Sequence, residues 1–393
     1  MNRIYVDNSA SSPIDPEVAE AMQRAERLGG NPSSLHSEGR IARDLVETAR
    51  SHVARLIHAD PEEIVFTGSG TEACNTAIFG VFKGRPISLG EHLIVSGVEH
   101  PAVLEPCVVL RKSGVKVTVL PVNAQGLVSP SDVAEALRPS TRLIAVQAAN
   151  NVVGTIQPIT EIGRLAKAHG ALFFSDAVQA TGRIPINVRQ QDIDLLSLSA
   201  HKFHGPKGIG ALFVRQGVEI EPLIYGGGQE RGRRSSTENV AGIVGMGAAA
   251  RLASAQLSAE SQRLRELREE FLSALFERCP NAYLIGDPVR RLPGHICVAF
   301  AGQEGDAIKL LMALDGAGFA VSSGSACSSN HAGDPSHVLV AMGMNPVQAR
   351  GSLRITLGRF NSREEMSQLI NALENTTRGL ARLTTRSLPQ SEV

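Results

Sequence analysis

Between residues 64 and 214, seven short β-rich runs alternate with stretches of helical periodicity. That alternation restricts the chain to a mostly parallel sheet with helices on both faces, an α/β fold. The candidate strands are 64–67, 92–96, 116–120, 142–147, 172–175, 195–199 and 210–214, and helical patterns fall between many of them, at 71–79, 102–112, 131–137 and 159–169. In such a sheet a ligand sits at the carboxyl ends of the strands, so the residues just after each strand matter most. A charged amphipathic stretch, about 255–277, reads as a helix leaving this unit. Beyond it, strands at 295–299, 319–322 and 353–356 and helices at 305–315, 336–342 and 363–382 predict a second, smaller α+β domain. The expected division is a large domain over 15–255 and a small one built from 1–14 and 256–393.

Charge narrows the partners. The 393 residues carry 39 Lys+Arg and 39 Asp+Glu, so no net positive field favours nucleic acid. The longest apolar run, 240–250, is short of the ~20 residues of a membrane helix. The opening M-N-R-I-Y-V-D has no signal-peptide pattern. Five scattered cysteines without a CxxC pair argue against a disulfide framework or zinc ribbon and point to a reducing cytoplasm, with no metal site expected.

The chemistry-bearing residues follow strands. In S-L-S-A-H-K-F-H-G-P-K-G-I-G-A-L-F-V (197–214), a strand delivers Ser199, His201 and Lys202 into a Gly/Pro turn. An arbitrary lysine is a solvated charge. One held at a strand's carboxyl end can lose its proton and form a Schiff base with an aldehyde. In F-F-S-D-A-V-Q-A-T-G (173–182), Asp176 ends another strand and reads two ways. It is either a helix N-cap or a carboxylate that keeps a pyridine nitrogen protonated, which makes pyridoxal phosphate an electron sink. Gln179 then falls within reach of the cofactor's phenolic oxygen. In T-G-S-G-T-E-A-C-N (67–75), Gly70 and Thr71 open a helix and can cup a phosphate, while the absence of a lysine after the glycines excludes a P-loop NTPase. His100 also follows a strand, a position from which it can stack on a cofactor ring and move protons.

The last constellation is S-S-G-S-A-C-S-S-N-H-A-G-D-P-S-H-V-L (322–339). Cys327 lies there among small residues, the setting of an exposed nucleophile rather than a buried thiol. Arg354, in S-L-R-I-T-L-G-R-F (352–360), is either a surface ion pair or a bidentate partner for a substrate carboxylate.

Together these stretches resemble the class V, fold-type I pyridoxal-phosphate enzymes, and specifically the NifS/IscS-like cysteine desulfurases. The resemblance runs from V-D-N-S-A-S-S-P (6–13) through 352–360, and its most specific pieces are H-K-F-H-G-P-K-G-I-G, G-G-G-Q-E-R-G-R-R-S-S-T-E-N and S-S-G-S-A-C. It implies a large domain with a seven-stranded, mostly parallel sheet plus a smaller α+β domain. It also implies that Lys202 carries the cofactor and that Asp176 pairs with its ring nitrogen. Gly70, Thr71, Ser199 and His201 would bind the phosphate, Gln179 and Asn151 would flank the ring oxygen and the substrate, and His100 would stack above the ring. Thr237 matches a position that reaches the partner subunit's phosphate, which implies a homodimer. Asn31 and Arg354 match positions near the substrate carboxylate, and Cys327 matches the persulfide-forming cysteine. The implied reaction takes sulfur from L-cysteine, releases alanine and serves an acceptor protein, an iron–sulfur scaffold or another carrier. A selenocysteine lyase and a class V aminotransferase are the rivals on the same scaffold. Two departures stand out. Val152 in A-A-N-N-V-V-G (148–154) replaces an acid common in the family, and the chain stops at Val393 without the extended tail by which housekeeping members dock a scaffold.

Overall fold

The computed structural model describes residues 3–83, 90–324 and 335–386. Its central sheet has seven strands in the order Ile64–Thr67, Gly210–Val214, Leu195–Ser199, Leu172–Asp176, Thr141–Ala145, His92–Ser96, Lys116–Leu120. The last five of these run parallel to their neighbours in that group, and Gly210–Val214 is antiparallel to the strand on either side. Apolar side chains on both faces are why these runs read as continuous hydrophobic stretches: Leu195–Ser199 and Gly210–Val214 are buried at every position. Lys116–Leu120 closes one edge and keeps Lys116 and Val119 exposed, a charged residue guarding the open edge.

A second, antiparallel sheet has the order Ser322–Ser323, Leu353–Thr356, His295–Phe300, Ala282–Leu284. The sequence reading joined 319–322 into one strand. The structure divides it: Phe319–Ala320 pairs in parallel with Ile4–Tyr5, and Ser322–Ser323 joins the antiparallel sheet. The N-terminal segment thus begins in a separate two-stranded sheet with Phe319–Ala320 and then crosses to the large one, where Ser12 N donates to the His201 carbonyl (2.8 Å).

One helix, Val240–Arg278, is 39 residues long, and the sequence reading placed its start fifteen residues too late. The missed turns are the apolar run itself, whose periodicity is hidden because nearly every side is packed. A Cβ on Gly247 would lie 2.5 Å from Ala49, and one on Gly245 would lie 2.6 Å from Met22. These glycines let the helix press against Pro16–Glu26 and Ser37–Leu56, two helices the periodicity left unmarked. By length and hydropathy alone the helix could cross a membrane, but 56% of its most apolar window is buried inside the protein. Its first half, including Ile243, Met246 and Ala250, belongs to the core beneath the large sheet. Its second half, through Leu264, Leu267 and Phe271, belongs to the core of the smaller sheet.

A buried ion pair locks the segment that precedes this helix. Arg50 donates from both terminal nitrogens to the two carboxylate oxygens of Glu230 (2.8 Å each), and Phe66 N donates to the same carboxylate (2.7 Å). Both side chains are almost wholly buried. Glu230→Ala leaves the Phe66 amide without its acceptor and the guanidinium with only Glu47 and the Ile64 carbonyl, so we expect a loss of about 3 kcal/mol. Urea unfolding measures it, and a loss below ~1 kcal/mol would mean the pair is replaceable by water.

Candidate active site at the carboxyl ends of the strands

A cavity of about 340 Å³ opens where Leu172–Asp176, Leu195–Ser199 and the Gly70–Phe82 helix converge. It is lined by Gly70, Thr71, His100, Asn151 and Asp176, and by Gln179, Ser199, His201 and Lys202.

Lys202 ends a single 3₁₀ turn, Ala200–Lys202, directly after its strand. The turn is tight: Gly205 N donates to the Ala200 carbonyl, and a Cβ on Gly205 would lie 2.8 Å from the Ala200 methyl. This geometry aims Lys202 inward, where Nζ donates to the carbonyls of Ser9 (2.5 Å) and Ala10 (2.9 Å). The Gly/Pro composition signalled the turn, but nothing in the sequence signalled the acceptors, because they are main-chain oxygens.

Asp176 caps no helix. It accepts from Ser197 Oγ (2.9 Å) and from Val178 N (3.0 Å), both at Oδ1, and Ser197 Oγ in turn accepts from Cys74 (3.3 Å). Gln179 donates to the Ser9 carbonyl (2.9 Å) and accepts from Arg183 (3.1 Å). The helix opening the phosphate-like cup starts at Gly70, one residue earlier than its periodicity predicts, and is capped by Ser69, whose Oγ accepts from Glu72 N (3.1 Å). A Cβ on Gly70 would lie 2.7 Å from Val178, so only glycine lets the backbone pass there.

Two histidines face the cavity uncharged. His100 is the N-cap of Pro101–Lys112, with Nδ1 accepting from Ala102 N (3.1 Å), so the neutral ring carries its proton on Nε2. Burial lowers its pKa; Asp176 opposes this, and Lys202 and His337 add to it. His201 is pushed down to about 4, by burial first and then by Lys202, Lys207 and Arg183. Its Nδ1 faces Ser11 Oγ (3.2 Å).

Other expected residues lie elsewhere. Arg354 is 2% exposed and does not line the cavity. It pairs with Asp7 (2.9 Å) and donates to the carbonyl of Asn151 (3.0 Å), reaching the cavity wall through that residue. Asn31 is exposed and makes local turn contacts, its Oδ1 accepting from Ser33 N (2.9 Å). Thr237 borders a separate depression with Gly68 and Arg234, away from the first cavity. Cys327 lies outside the described residues. Val152, where the family often carries an acid, is buried in an apolar cluster with Val98, Val338 and Leu339, a setting that suits the substitution.

Sequence reasoning missed Glu99. Its carboxyl is fully buried, with Oε1 accepting from Ser96 Oγ (2.6 Å) and Gln147 N (2.8 Å). Burial pushes it up to about 8, with Asp176 adding to the rise against those hydrogen bonds. The V-E-H-P order placed it beside His100 without showing that it points inward.

Comparison with known proteins agrees with this arrangement. The Aminotransferase class-V family matches residues 4–369. Curated relatives named cysteine desulfurase IscS include one from Dictyoglomus turgidum, 47% identical over 94% of this chain and 93% of its own length, and one from Methanosarcina thermophila, 45% identical over 94% and 91%. Among solved structures, a NifS-like protein aligns with a TM-score of 0.88 at 37% identity, covering 96% of this chain and all of its own. A structure described as SspA in complex with cysteine aligns at 0.80 and 37% identity, covering 91% of this chain and all of its own.

Proposed function

Because the chain belongs to the class-V aminotransferases, and within them to the cysteine desulfurases, we propose that its cavity binds pyridoxal phosphate and moves sulfur from L-cysteine onto Cys327, releasing L-alanine. The observation that carries this reading is a single cavity lined by a lysine and a carboxylate from adjacent strand ends, with a helix N-terminus at its rim. The donor set fits the cofactor. Gly70 and Thr71 open the helix with amides unused by the helix itself, and Ser199 and His201 stand opposite as further phosphate partners. Asp176 accepts twice at Oδ1, which leaves Oδ2 for a ring N–H. Gln179 and Asn151 serve the ring oxygen and the substrate.

When bound, pyridoxal phosphate supplies an aldehyde that captures the substrate amine and a ring that withdraws electrons from its α-carbon. The rest falls to the chain. Lys202 would hold the cofactor and move the α-proton, and His100, across the same cavity, would offer its neutral ring to the cofactor. Arg354, which reaches the cavity wall through the Asn151 carbonyl, is the cation proposed for the substrate carboxylate, and Asn31 is proposed as a further contact to it. The Cys327 thiolate attacks the substrate sulfur, an S–S bond forms, and the C–S electron pair goes to carbon, which takes a proton to give alanine. The relative solved with bound cysteine supports L-cysteine as substrate. Four other cysteines are buried, and burial raises their thiol pKa values, Cys107 to about 12 and Cys297 to about 11, so none of the four offers a ready thiolate.

The persulfide passes to an acceptor protein, an iron–sulfur scaffold or another carrier, in the reducing cytoplasm that a free thiol requires. Thr237, away from its own chain's cavity, is proposed to serve the cavity of a second copy, which makes the working unit a homodimer. The test is anaerobic incubation with L-cysteine and a reductant. Alanine and sulfide should appear in equal amounts from material that sediments as a dimer. A requirement for a keto-acid acceptor would favour an aminotransferase, and preference for selenocysteine would favour the lyase.

A further inference from the structure

His100 is presented by a four-residue loop, 97–100, whose polar groups are tied down almost entirely within the large domain. Gly97 N donates to the Leu120 carbonyl (2.9 Å). The Val98 carbonyl accepts from Gln147 (2.6 Å) and Asn150 (3.1 Å), and the Glu99 carboxyl accepts from Ser96 and Gln147. Among the described residues, one bond comes from elsewhere: His337 Nε2 donates to the Glu99 carbonyl (2.9 Å). His337 opens the helix His337–Ala341, whose Val338 and Leu339 are buried against Val98 and Val152. It also stands ten residues after Cys327. The chain returning from the nucleophile is therefore fixed at one point, by an apolar plug and a hydrogen bond, onto the loop that holds His100 at the cavity.

We propose that His337 is a positioning residue for sulfur transfer, its hydrogen bond to the Glu99 carbonyl setting the anchor from which Cys327 reaches the substrate sulfur. The proposal rests on the desulfurase reading above and adds to it a residue that touches neither substrate nor cofactor. The plug alone fixes the helix's depth, since apolar contact is non-directional. The hydrogen bond fixes its rotation about that plug, because a donor at 2.9 Å must also be aligned. A displacement of the anchor leaves Lys202 and Asp176 where they are and His100 on a loop still held by Gln147, Asn150 and the Leu120 carbonyl, so it acts mainly on the approach of the thiol, the influence of His337 on the His100 ring being the smallest of those acting on it. The two halves of the reaction should therefore separate.

The experiment compares the holoenzyme with His337→Ala and His337→Gln, the latter placing an amide N–H near the original Nε2. Exchange of the α-hydrogen of L-alanine with deuterated solvent, followed by NMR, reports the cavity without any need for Cys327. Persulfide on Cys327 after a single turnover of L-cysteine, followed by mass, reports the transfer. We expect His337→Ala to slow persulfide formation roughly tenfold with exchange within about twofold of the parent, and His337→Gln to recover most of the loss. Undiminished persulfide formation in His337→Ala would overturn the proposal, as would a parallel loss of exchange and transfer, or a glutamine variant as slow as the alanine one. A parent that makes no alanine brings down the desulfurase reading itself, whereas a competent parent beside an undiminished His337→Ala brings down this proposal alone.

Discussion

Lys202→Ala should lower turnover of L-cysteine by at least ~10⁴-fold, because it removes both the covalent hold on the cofactor and the base that moves the α-proton. A lost hydrogen bond at the cavity rim would cost far less. Lys202 lines the cavity, its 3₁₀ turn directing Nζ to the Ser9 and Ala10 carbonyls at the edge. An independent readout is borohydride reduction followed by peptide mapping. The parent should carry a reduced adduct on the peptide containing Lys202, and the variant should carry none. Lys207, exposed on the far side of Pro206 and absent from the cavity wall, should remain unlabelled. An adduct on Lys207 in the parent enzyme would refute the assignment.

Cys327→Ala should instead divide the reaction. In the proposed reaction, aldehyde chemistry and α-proton removal fall to Lys202, Asp176 and His100, all of which the substitution leaves in place, so exchange of the α-hydrogen should stay near the parent rate. Cleavage of the C–S bond needs a thiolate within contact distance of the substrate sulfur, so alanine formation should fall by ~10³-fold or more. Alanine replacing Cys107 or Cys279 is a control for the thiols themselves: both lie buried in apolar clusters, and Cys107→Ala and Cys279→Ala should turn over at close to the parent rate. Parent-rate production of alanine and sulfide by Cys327→Ala would place the nucleophile elsewhere, or make the reaction an elimination.

The large sheet was legible because its strands are apolar on both faces, and a buried parallel strand leaves an unbroken run in the sequence. Strand-end placement then brought Lys202, Asp176 and His100 into view, since the fold class itself says where a ligand sits. The short pairing of Ile4–Tyr5 was not legible: two residues carry no period, and their partner lies more than 300 positions away. Nor was the start of the Val240–Arg278 helix, where a helix packed on nearly all sides loses the amphipathic stripe that marks one. Contacts through main-chain oxygens were invisible for a different reason. Ser9, Ala10 and Glu99 each offer a carbonyl, and a carbonyl leaves no trace in residue identity. Arg354 was expected among the substrate contacts, but its pairing with Asp7 depends on two strands meeting from opposite ends of the chain.

That meeting of the two ends governs when the protein can become complete during its own synthesis. The Lys202 acceptors lie on a segment whose position is set by Ile4–Tyr5 on Phe319–Ala320 and by Asn8 on the Thr356 carbonyl (2.8 Å). A ribosome has therefore built most of the chain before residues 4–10 can take their final place. At ~5–20 residues per second, the first strand waits on the order of tens of seconds for its partner. Meanwhile the large sheet, whose strands all fall between Ile64 and Val214, already has its own core. The nascent enzyme thus passes through a stage with its scaffold formed and its lysine not yet seated, and the arrival of the last strands is the event that finishes the site.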